Sequence, residues 1–240
     1  MYPLILIPLS ACILTSCTLS DFQNKTNTLP QASPTTTIKT EQAPPVTSTA
    51  SNVSDIATIL KDAYSEERLA EDIYIKMLAK YGDFTEVMNI IDSEEKHSEQ
   101  VGRLLDVRGI TRPTDYGSYS GTYDTLSKML NTGLTQAIEV GVMVEVGDID
   151  HLLSEYKTVE DADVRRVFEN IGGSSFNHLR AFLRLAEKNN YTITTDFARY
   201  MTADEIHSTG PLKSKMTDLL KANNLPTYGT SNGGWKGRNR

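Results

Sequence analysis

Apolar side chains recur every three or four residues along four long stretches between residues 54 and 188. This spacing places them on one face of an α-helix, because a helix turns by about 100° per residue. No segment of the chain alternates between apolar and polar residues in the way that a half-buried strand does. The pattern therefore predicts an all-α protein.

The same pattern predicts how the helices are connected. Ser54 is a favoured N-cap for the first helix, and Gly82 and Gly109 end the first two. Short connections after the first and third long helices predict two antiparallel hairpins, joined by a long crossover. We therefore expect an antiparallel four-helix bundle with a long crossover and short C-terminal helices. The predicted long helices cover residues 54–81, 84–108, 134–156 and 160–188, and the shorter ones cover 123–130, 203–207 and 212–222.

Each of the first three long helices carries a glutamate in the middle of its apolar face, namely Glu67, Glu94 and Glu145. An ionised carboxylate that is buried alone costs much free energy. No Lys or Arg lies in the middle of these faces to compensate the charge. A pair of divalent metal ions would neutralise all three glutamates together, so the pattern predicts a di-metal centre inside the bundle.

Histidines complete the predicted ligand set. His97 follows Glu94 by three residues, which gives a Glu-x-x-His pair on one helix face, and His178 lies within the apolar face of the fourth helix. Asp148 lies one turn after Glu145, where it either binds metal or orients a histidine. Mixed carboxylate and imidazole ligands suit Fe or Mn, and Zn also fits. The predicted metal ligands are Glu67, Glu94, His97, Glu145, Asp148 and His178.

Several other polar residues fall away from the apolar faces. Glu66 lies well to one side of its helix, and Glu139 and Glu169 lie outside the buried faces of theirs. His151 and His207 are predicted to be surface residues. None of these residues is expected to take part in the metal centre.

Two features of the buried faces leave alternatives open. Tyr74 shares the face of Glu67, where it either supports a ligand or a redox step, or is an ordinary core tyrosine. Gly172 and Gly173 lie inside the fourth helix, where they either loosen it or permit close packing of another segment.

The N-terminus has the features of a bacterial lipoprotein signal peptide. Residues 2–14 are almost uniformly apolar, a length typical of a signal peptide and too short to span a bilayer. Leu14-Thr15-Ser16-Cys17 matches a lipobox, which predicts a signal peptide over residues 1–17 and a lipidated Cys17. Cys12 also fits but leaves a very short apolar run, and a plain secretory signal stays open because no Lys or Arg precedes that run.

These features predict five segments and a location. Residues 18–52 are rich in Thr, Ser and Pro and predict a disordered tether, followed by the bundle at 53–190, a helical extension at 191–227 and a disordered tail at 228–240. The protein is expected at the bacterial cell envelope, lipid-anchored and facing the periplasm or the exterior.

The net charge of −7 argues against a nucleic-acid partner. Both cysteines lie in the N-terminal segment, so neither a disulfide nor a thiolate metal site is expected elsewhere.

Four sequence segments resemble a known superfamily. They are EERLAEDIY (66–74), SEEKH (93–97), EVGDI (145–149) and SFNHLRAF (175–182). The chain resembles the ferritin-like superfamily with rubrerythrin-type spacing, and more closely a functionally uncharacterised bacterial ferritin-like family. The resemblance implies a di-iron site in which two helices supply one Glu each and two supply Glu-x-x-His. Ser175 stands where the fourth helix is expected to supply its Glu.

The resemblance implies an exported di-metal carboxylate protein that reacts with O₂ or peroxide, or oxidises Fe(II), as a di-iron oxidase or peroxidase. Two Fe ions are expected, and Mn or Zn would also fit. The alternative is a non-enzymatic metal-binding or structural envelope module with a degenerate site. The sequence leaves open whether the chain is an enzyme and whether it forms a homo-oligomer. The expected catalytic metal ligands are Glu67, Glu94, His97, Glu145 and His178.

Overall fold

Seven α-helices make up the part of the chain that the structure describes, and no strand occurs within that part. The structure is a computed structural model, and it describes residues 49–82 and 84–228. The predicted all-α class is confirmed. The helices are α1 (Thr49–Tyr81), α2 (Thr85–Asp106), α3 (Ser120–Leu130), α4 (Leu134–Thr158), α5 (Ala162–Lys188), α6 (Ala203–His207) and α7 (Ser214–Ala222).

Most helices begin and end within a few residues of the predicted bounds. The first helix differs most, because α1 begins at Thr49 rather than at the predicted cap Ser54. No Gly or Pro lies between these two residues to stop the helix there. The predicted signal peptide, the predicted tether before residue 49 and the tail beyond residue 228 lie outside the described residues. Within the described range, no helix has both the length and the hydropathy that crossing a membrane requires.

Four long helices form the bundle. α1 packs along α2 and α4 packs along α5, while α2 also contacts α5 and α1 contacts α4. The helices therefore follow one another around the bundle in the order α1, α2, α5, α4. The connections at residues 82–84 and 159–161 are short, so the two helices of each pair run antiparallel. The crossover contains α3 and a 3₁₀ turn, Gly117–Tyr119, and both pack on α1.

Close packing around Gly141 positions an aromatic pair in the bundle interior. A Cβ atom on Gly141 would lie 2.4 Å from the ring of Phe182, so only glycine leaves room for that ring. The Phe182 ring in turn lies 5.1 Å from the ring of Tyr74, measured between centroids. Both aromatic side chains are fully buried. α4 and α5 therefore fix the position of a tyrosine on α1.

Gly172 and Gly173 permit close packing rather than loosening the helix. α5 continues without interruption through both residues. A Cβ on Gly173 would lie 2.7 Å from the carbonyl oxygen of Lys213, and one on Gly172 would lie 3.0 Å from the Met216 sulfur. Of the two alternatives left open by the sequence, the structure therefore selects close packing, here of the C-terminal segment that leads into α7.

Glu139 is buried, contrary to the prediction that it lies outside the bundle contacts. Its carboxylate accepts hydrogen bonds from the backbone N–H groups of Thr194 and Thr195 and from both of their hydroxyls. The Tyr191 hydroxyl donates another at 2.9 Å. The segment that follows α5 thus folds back on α4 and supplies this carboxylate with neutral donors only.

Glu169 is buried for the same reason. It accepts hydrogen bonds from the Thr217 hydroxyl at 2.6 Å and from the Tyr228 backbone N–H at 2.7 Å. The prediction considered only the contacts among the four long helices. The C-terminal extension covers faces of α4 and α5 that this reasoning left to solvent, so both predictions of an outer position were wrong.

The hydrogen bonds to Glu139 make its stabilising contribution depend on pH. Burial alone would raise the pKa of Glu139, but hydrogen bonds from Thr195, Thr194 and Tyr191 hold the pKa below its ordinary value. The folded protein therefore binds this proton more weakly than the unfolded chain does. The stabilisation is complete above the ordinary glutamate pKa of about 4.3, and it is lost as the pH falls through the lowered pKa.

We expect Glu139→Gln to lower the free energy of unfolding at pH 7 by about 2 kcal/mol, because charge-assisted hydrogen bonds are lost. The gap to the wild type should shrink as the pH falls below about 4. Urea unfolding at a series of pH values measures both effects. Glu160→Gln, at an exposed position, is the matched control. A gap that stays constant across the pH range would contradict this account.

Candidate metal centre

The structure buries all six predicted ligands in the bundle interior. α1 supplies one of them, α2 and α4 supply two each, and α5 supplies one. None is more than 7% exposed. Such burial requires that their charges be compensated within the protein. The six residues are Glu67, Glu94, His97, Glu145, Asp148 and His178.

Two overlapping triads account for five of these residues. Glu67, Glu94 and His97 offer ligand atoms that all lie within 4.8 Å of one another, and so do Glu94, Glu145 and His178. Glu94 belongs to both triads, and its two oxygens face different histidines. Oε2 lies 2.9 Å from His97 Nδ1, and Oε1 lies 2.8 Å from His178 Nδ1. A carboxylate that bridges two metal ions presents its oxygens in this way.

Each histidine also faces a second carboxylate from its own side of the bundle. His97 Nδ1 lies 3.3 Å from Glu67 Oε2, and His178 Nδ1 lies 3.5 Å from Glu145 Oε2. The two imidazole rings lie nearly parallel, with their centroids 5.7 Å apart. Each Nδ1 atom therefore lies within 3.5 Å of two carboxylates, one of which is Glu94.

Two buried atoms of the cluster lack a hydrogen bond within the part of the chain that the structure describes, and Arg165 Nε, outside the cluster, is a third such atom. His178 Nδ1 lies at ion-pair distance from Glu94 Oε1, at 2.8 Å, but the two atoms are not aligned as a hydrogen bond. Asp148 Oδ1 is also buried without a partner. Such atoms are rare in folded proteins and call for an explanation. A bound cation would supply it, and carboxylates with imidazoles are a donor set that fits Fe, Mn or Zn.

Ser175 shows how the centre departs from the expected ligand pattern. Its hydroxyl donates a hydrogen bond to Asp148 Oδ2. The carboxylate of Asp148 on α4 therefore lies beside the α5 position where a glutamate was expected. Asp148 makes no hydrogen bond with a histidine in the described part of the chain. Both alternatives for Asp148 stay open, because it belongs to neither triad.

Two serines hold the outer nitrogens of the histidines. Ser93 Oγ lies 3.2 Å from His97 Nε2, and Ser174 Oγ lies 3.4 Å from His178 Nε2. The two hydroxyls are 3.2 Å apart, so they also link α2 to α5. A hydrogen bond at Nε2 fixes the ring orientation and keeps Nδ1 for the metal. Sequence reasoning missed both residues, although each serine precedes its histidine by one helical turn.

Tyr74 supports a ligand and also belongs to the core. Its hydroxyl donates a hydrogen bond of 2.5 Å to Glu145 Oε1, and the whole residue is buried. The Phe182 ring fixes its orientation from the opposite side. The hydrogen bond leaves Oε2 of Glu145 facing His178.

His151 is not the surface residue that the sequence predicted. Its side chain is 16% exposed and its Nδ1 pairs with Glu66 Oε2 between α4 and α1. Tyr119, in the 3₁₀ turn, places its hydroxyl 3.3 Å from the same nitrogen. The crossover thus covers a face that helical periodicity alone assigns to solvent. His207, with 66% of its side chain exposed, lies at the surface as predicted.

Protons balance the charges of the centre when no metal is bound. Burial alone would raise the pKa of Glu94, but the adjacent imidazoles of His178 and His97 lower it well below its ordinary value. Burial alone would lower the pKa of His97, but the charge of Glu94 raises it to about 10. The charges of Glu145 and Glu94 likewise overcome burial and raise the pKa of His178 to about 10. An ionised Glu94 therefore lies between two imidazolium groups.

The remaining carboxylates hold their protons more strongly than usual. Burial raises the pKa of Glu67 well above its ordinary value. Burial, together with the charges of Glu67 and Glu66, does the same for Asp148. Divalent cations would replace these protons, because a metal ligand must be deprotonated.

A known protein family matches the part of the chain that contains the site. The family described as "Uncharacterized protein domain (DUF2202)" matches residues 57–209. That range covers all six candidate ligands. The uncharacterized protein MJ0754 of Methanocaldococcus jannaschii is 31% identical over 134 residues, which cover 52% of this chain and 71% of that protein.

A crystal structure of hypothetical protein MJ0754 from Methanococcus jannaschii DSM 2661 is similar to this chain with a TM-score of 0.59. The match covers 72% of this chain and 99% of the other, at 24% sequence identity. At that identity the likeness supports the fold alone.

The geometry predicts a specific titration in the protein stripped of metal by a chelator. Both His97 and His178 should remain protonated at pH 8, because the pKa of each is raised to about 10. Glu94→Gln removes the shared negative charge and should lower both pKa values together. Nitrogen NMR of the imidazoles measures this.

Glu95→Gln is the matched control, since Glu95 is the exposed neighbour of Glu94 on the same helix. It should leave both titrations unchanged. Neutral imidazoles at pH 8 in the wild type, or a shift of only one histidine in Glu94→Gln, would show that Glu94 does not lie between them.

Proposed function

The chain belongs to the uncharacterized protein domain family DUF2202, and we propose that it is a ferritin-like di-metal carboxylate protein with redox chemistry toward O₂ or peroxide. The observation that carries the proposal is the position of Glu94, which presents one oxygen to each of two histidines. The preferred metal is iron, and Mn or Zn would fit the same donors.

The charges of the centre match a pair of divalent ions. Four carboxylates are buried there, so full ionisation gives four negative charges, and two divalent cations bring four positive charges. The two neutral imidazoles then complete the ligand set without altering this balance. One cation would leave two carboxylates to be neutralised by protons. The carboxylates are Glu67, Glu94, Glu145 and Asp148.

Each half of the centre has its own ligands. Glu67 and His97 would hold one ion, Glu145 and His178 the other, and Glu94 would join them. Two Fe(II) ions supply two electrons, the number that reduces O₂ to peroxide or peroxide to water. The protein's own part is to bind and orient: Tyr74 fixes Glu145, and the buried interior excludes bulk water from the reacting oxidant.

The order of ligands along the chain supports the ferritin-like relationship. Successive long helices supply Glu67, then Glu94 with His97, then Glu145, then His178. Di-iron bundles distribute their ligands over four helices in a related pattern. The replacement of the last glutamate by Ser175, with Asp148 beside it, is the departure of this chain. The alternative function, a non-enzymatic metal-binding or structural module, follows if that departure removes the reactivity.

Iron loading tests the proposed function directly. Under anaerobic conditions the wild type should bind two Fe(II) per chain, and Glu94→Gln should bind one or none because the shared ligand is lost. Elemental analysis after desalting counts the metal. On exposure to air, the loaded wild type should consume O₂ as its Fe(II) oxidises. An oxygen electrode measures the O₂ consumed, and the near-ultraviolet absorption of Fe(III) measures the oxidation.

Glu95→Gln again serves as the control and should match the wild type in both measurements. Fewer than one metal ion per wild-type chain after trials with Fe, Mn and Zn would remove the metal centre. Two bound Fe(II) ions that oxidise no faster than free Fe(II) would instead establish the non-enzymatic alternative.

We also propose that the bundle is anchored at the cell envelope through a lipid on Cys17. The support is the lipobox that ends at this residue. Two acyl signals hold a protein stably on a membrane, as a lipoprotein anchor does. In a bacterial host fed labelled palmitate, the wild type should incorporate label and Cys17→Ala should not. Cys12→Ala should keep the label; the reverse pattern would assign the anchor to Cys12, and an unlabelled wild type would remove it.

A further inference from the structure

Ligand-type side chains continue along α4 beyond the metal centre toward solvent. They are spaced three, three and four residues apart, which keeps them on one face of the helix. The exposed fraction of the side chain rises from 2% at the inner end to 26% at the outer end. The series is Glu145, Asp148, His151 and Glu155.

A second group of polar atoms gathers halfway along this series. His151 Nδ1 pairs with Glu66 Oε2 on α1, and its Nε2 lies 3.8 Å from Glu155 Oε1. The Tyr119 hydroxyl lies 3.4 Å from Glu66 Oε2 and 3.3 Å from His151 Nδ1. The His151 ring therefore lies between two carboxylates, one at each nitrogen, with a phenol oxygen beside Nδ1, at a partly exposed position between α1 and α4. Such atoms bind divalent cations.

Asp148 connects this group to the metal centre. Its Oδ1 atom is buried and has no hydrogen-bond partner, while Ser175 occupies its other oxygen. Its charge interacts with those of Glu67 in the centre and of Glu66 in the outer group. The two glutamates are also neighbours in sequence. Asp148 therefore has an oxygen without a hydrogen bond in the described part of the chain, and its charge interacts with both groups.

Within residues 49–82 and 84–228, the opposite side of the bundle offers no comparable series. There, between α2 and α5, the Ser93 and Ser174 hydroxyls bind each other and the Nε2 atoms of His97 and His178. These are neutral groups already engaged in hydrogen bonds. A cation that leaves water needs anionic or strongly polar ligands at each step, because an uncompensated charge in the interior is very costly. Among the described residues, the α1–α4 side supplies carboxylates in succession and the α2–α5 side does not.

We propose that Glu66, His151 and Asp148, with Glu155 at the outer end, form a path that conducts divalent cations from solvent to the buried centre. The proposal rests on the proposed function, since it requires a metal centre to be filled. Glu66 and His151 hold the cation in transit, and Asp148 transfers it to the ligands of the centre. Tyr119 covers the path where it leaves the bundle.

Loading kinetics with Co(II) alone test the path, with the visible absorption of bound Co(II) as the signal in a stopped-flow instrument. Glu66→Gln and His151→Gln should each slow loading by about tenfold, the order expected when carboxylate and imidazole guidance of a cation is lost. The final number of Co(II) ions per chain should equal that of the wild type. Glu155→Gln should slow loading by a smaller factor, because that side chain is more exposed.

Two exposed residues give matched controls. Glu95 follows Glu94 on α2 and points to solvent, and His207 lies on α6 with 66% of its side chain exposed. Glu95→Gln and His207→Gln should load at the wild-type rate. Melting curves of the metal-free variants show whether each is folded before its rate is compared, and Glu155→Gln provides a test at a less buried position.

The outcomes separate this proposal from the one it rests on. Wild-type protein that binds no Co(II) overturns the metal centre, and the path falls with it. Normal wild-type loading with unchanged rates in Glu66→Gln and His151→Gln overturns the path alone. A lower final Co(II) content in these two variants also overturns it, because they would then belong to the resident site.

Discussion

The ionised carboxylate of Glu94 needs positive charge on both of its sides, because it lies in a bundle interior where water cannot solvate it. His97 and His178 meet that need in the metal-free protein, each within 3 Å of a different oxygen. They come from α2 and α5, which contact each other across the bundle. The Ser93 and Ser174 hydroxyls hold the outer nitrogens of the two rings, so that each Nδ1 stays beside this charge.

The sequence predicted this part of the molecule because it depends on helical phase alone. A glutamate in the middle of an apolar face must point into the core, wherever the helix docks, and Glu67, Glu94 and Glu145 all do. The spacing of three residues between Glu94 and His97 then places both on one surface of α2. The Ser93 and Ser174 hydroxyls were within reach of the same reasoning, since each lies one turn before a buried histidine.

Residues whose burial depends on distant segments were beyond such reasoning. Glu139 is covered by the chain around Thr194, some 55 residues away, and Glu169 by Thr217 and Tyr228. The His151 pair with Glu66 is enclosed by the crossover at Tyr119. No helical period records which loop folds over an outer face. The long helices were therefore predictable. The burial of their outer faces under the crossover and the C-terminal extension was not.

Burial of a carboxylate is thus not by itself a sign of metal binding in this fold. The groups around the carboxylate distinguish a hydrogen-bonded structural residue from a candidate metal ligand. The Glu139 carboxylate accepts hydrogen bonds from neutral donors on both of its oxygens, so its burial is compensated without a cation. In the centre, by contrast, Asp148 Oδ1 has no hydrogen-bond partner among the residues that the structure describes. An unpaired buried polar atom costs about 1–3 kcal/mol. Together with the two overlapping triads around Glu94, this oxygen is the physical argument that a cation would fit the centre, whereas it would not fit the surroundings of Glu139.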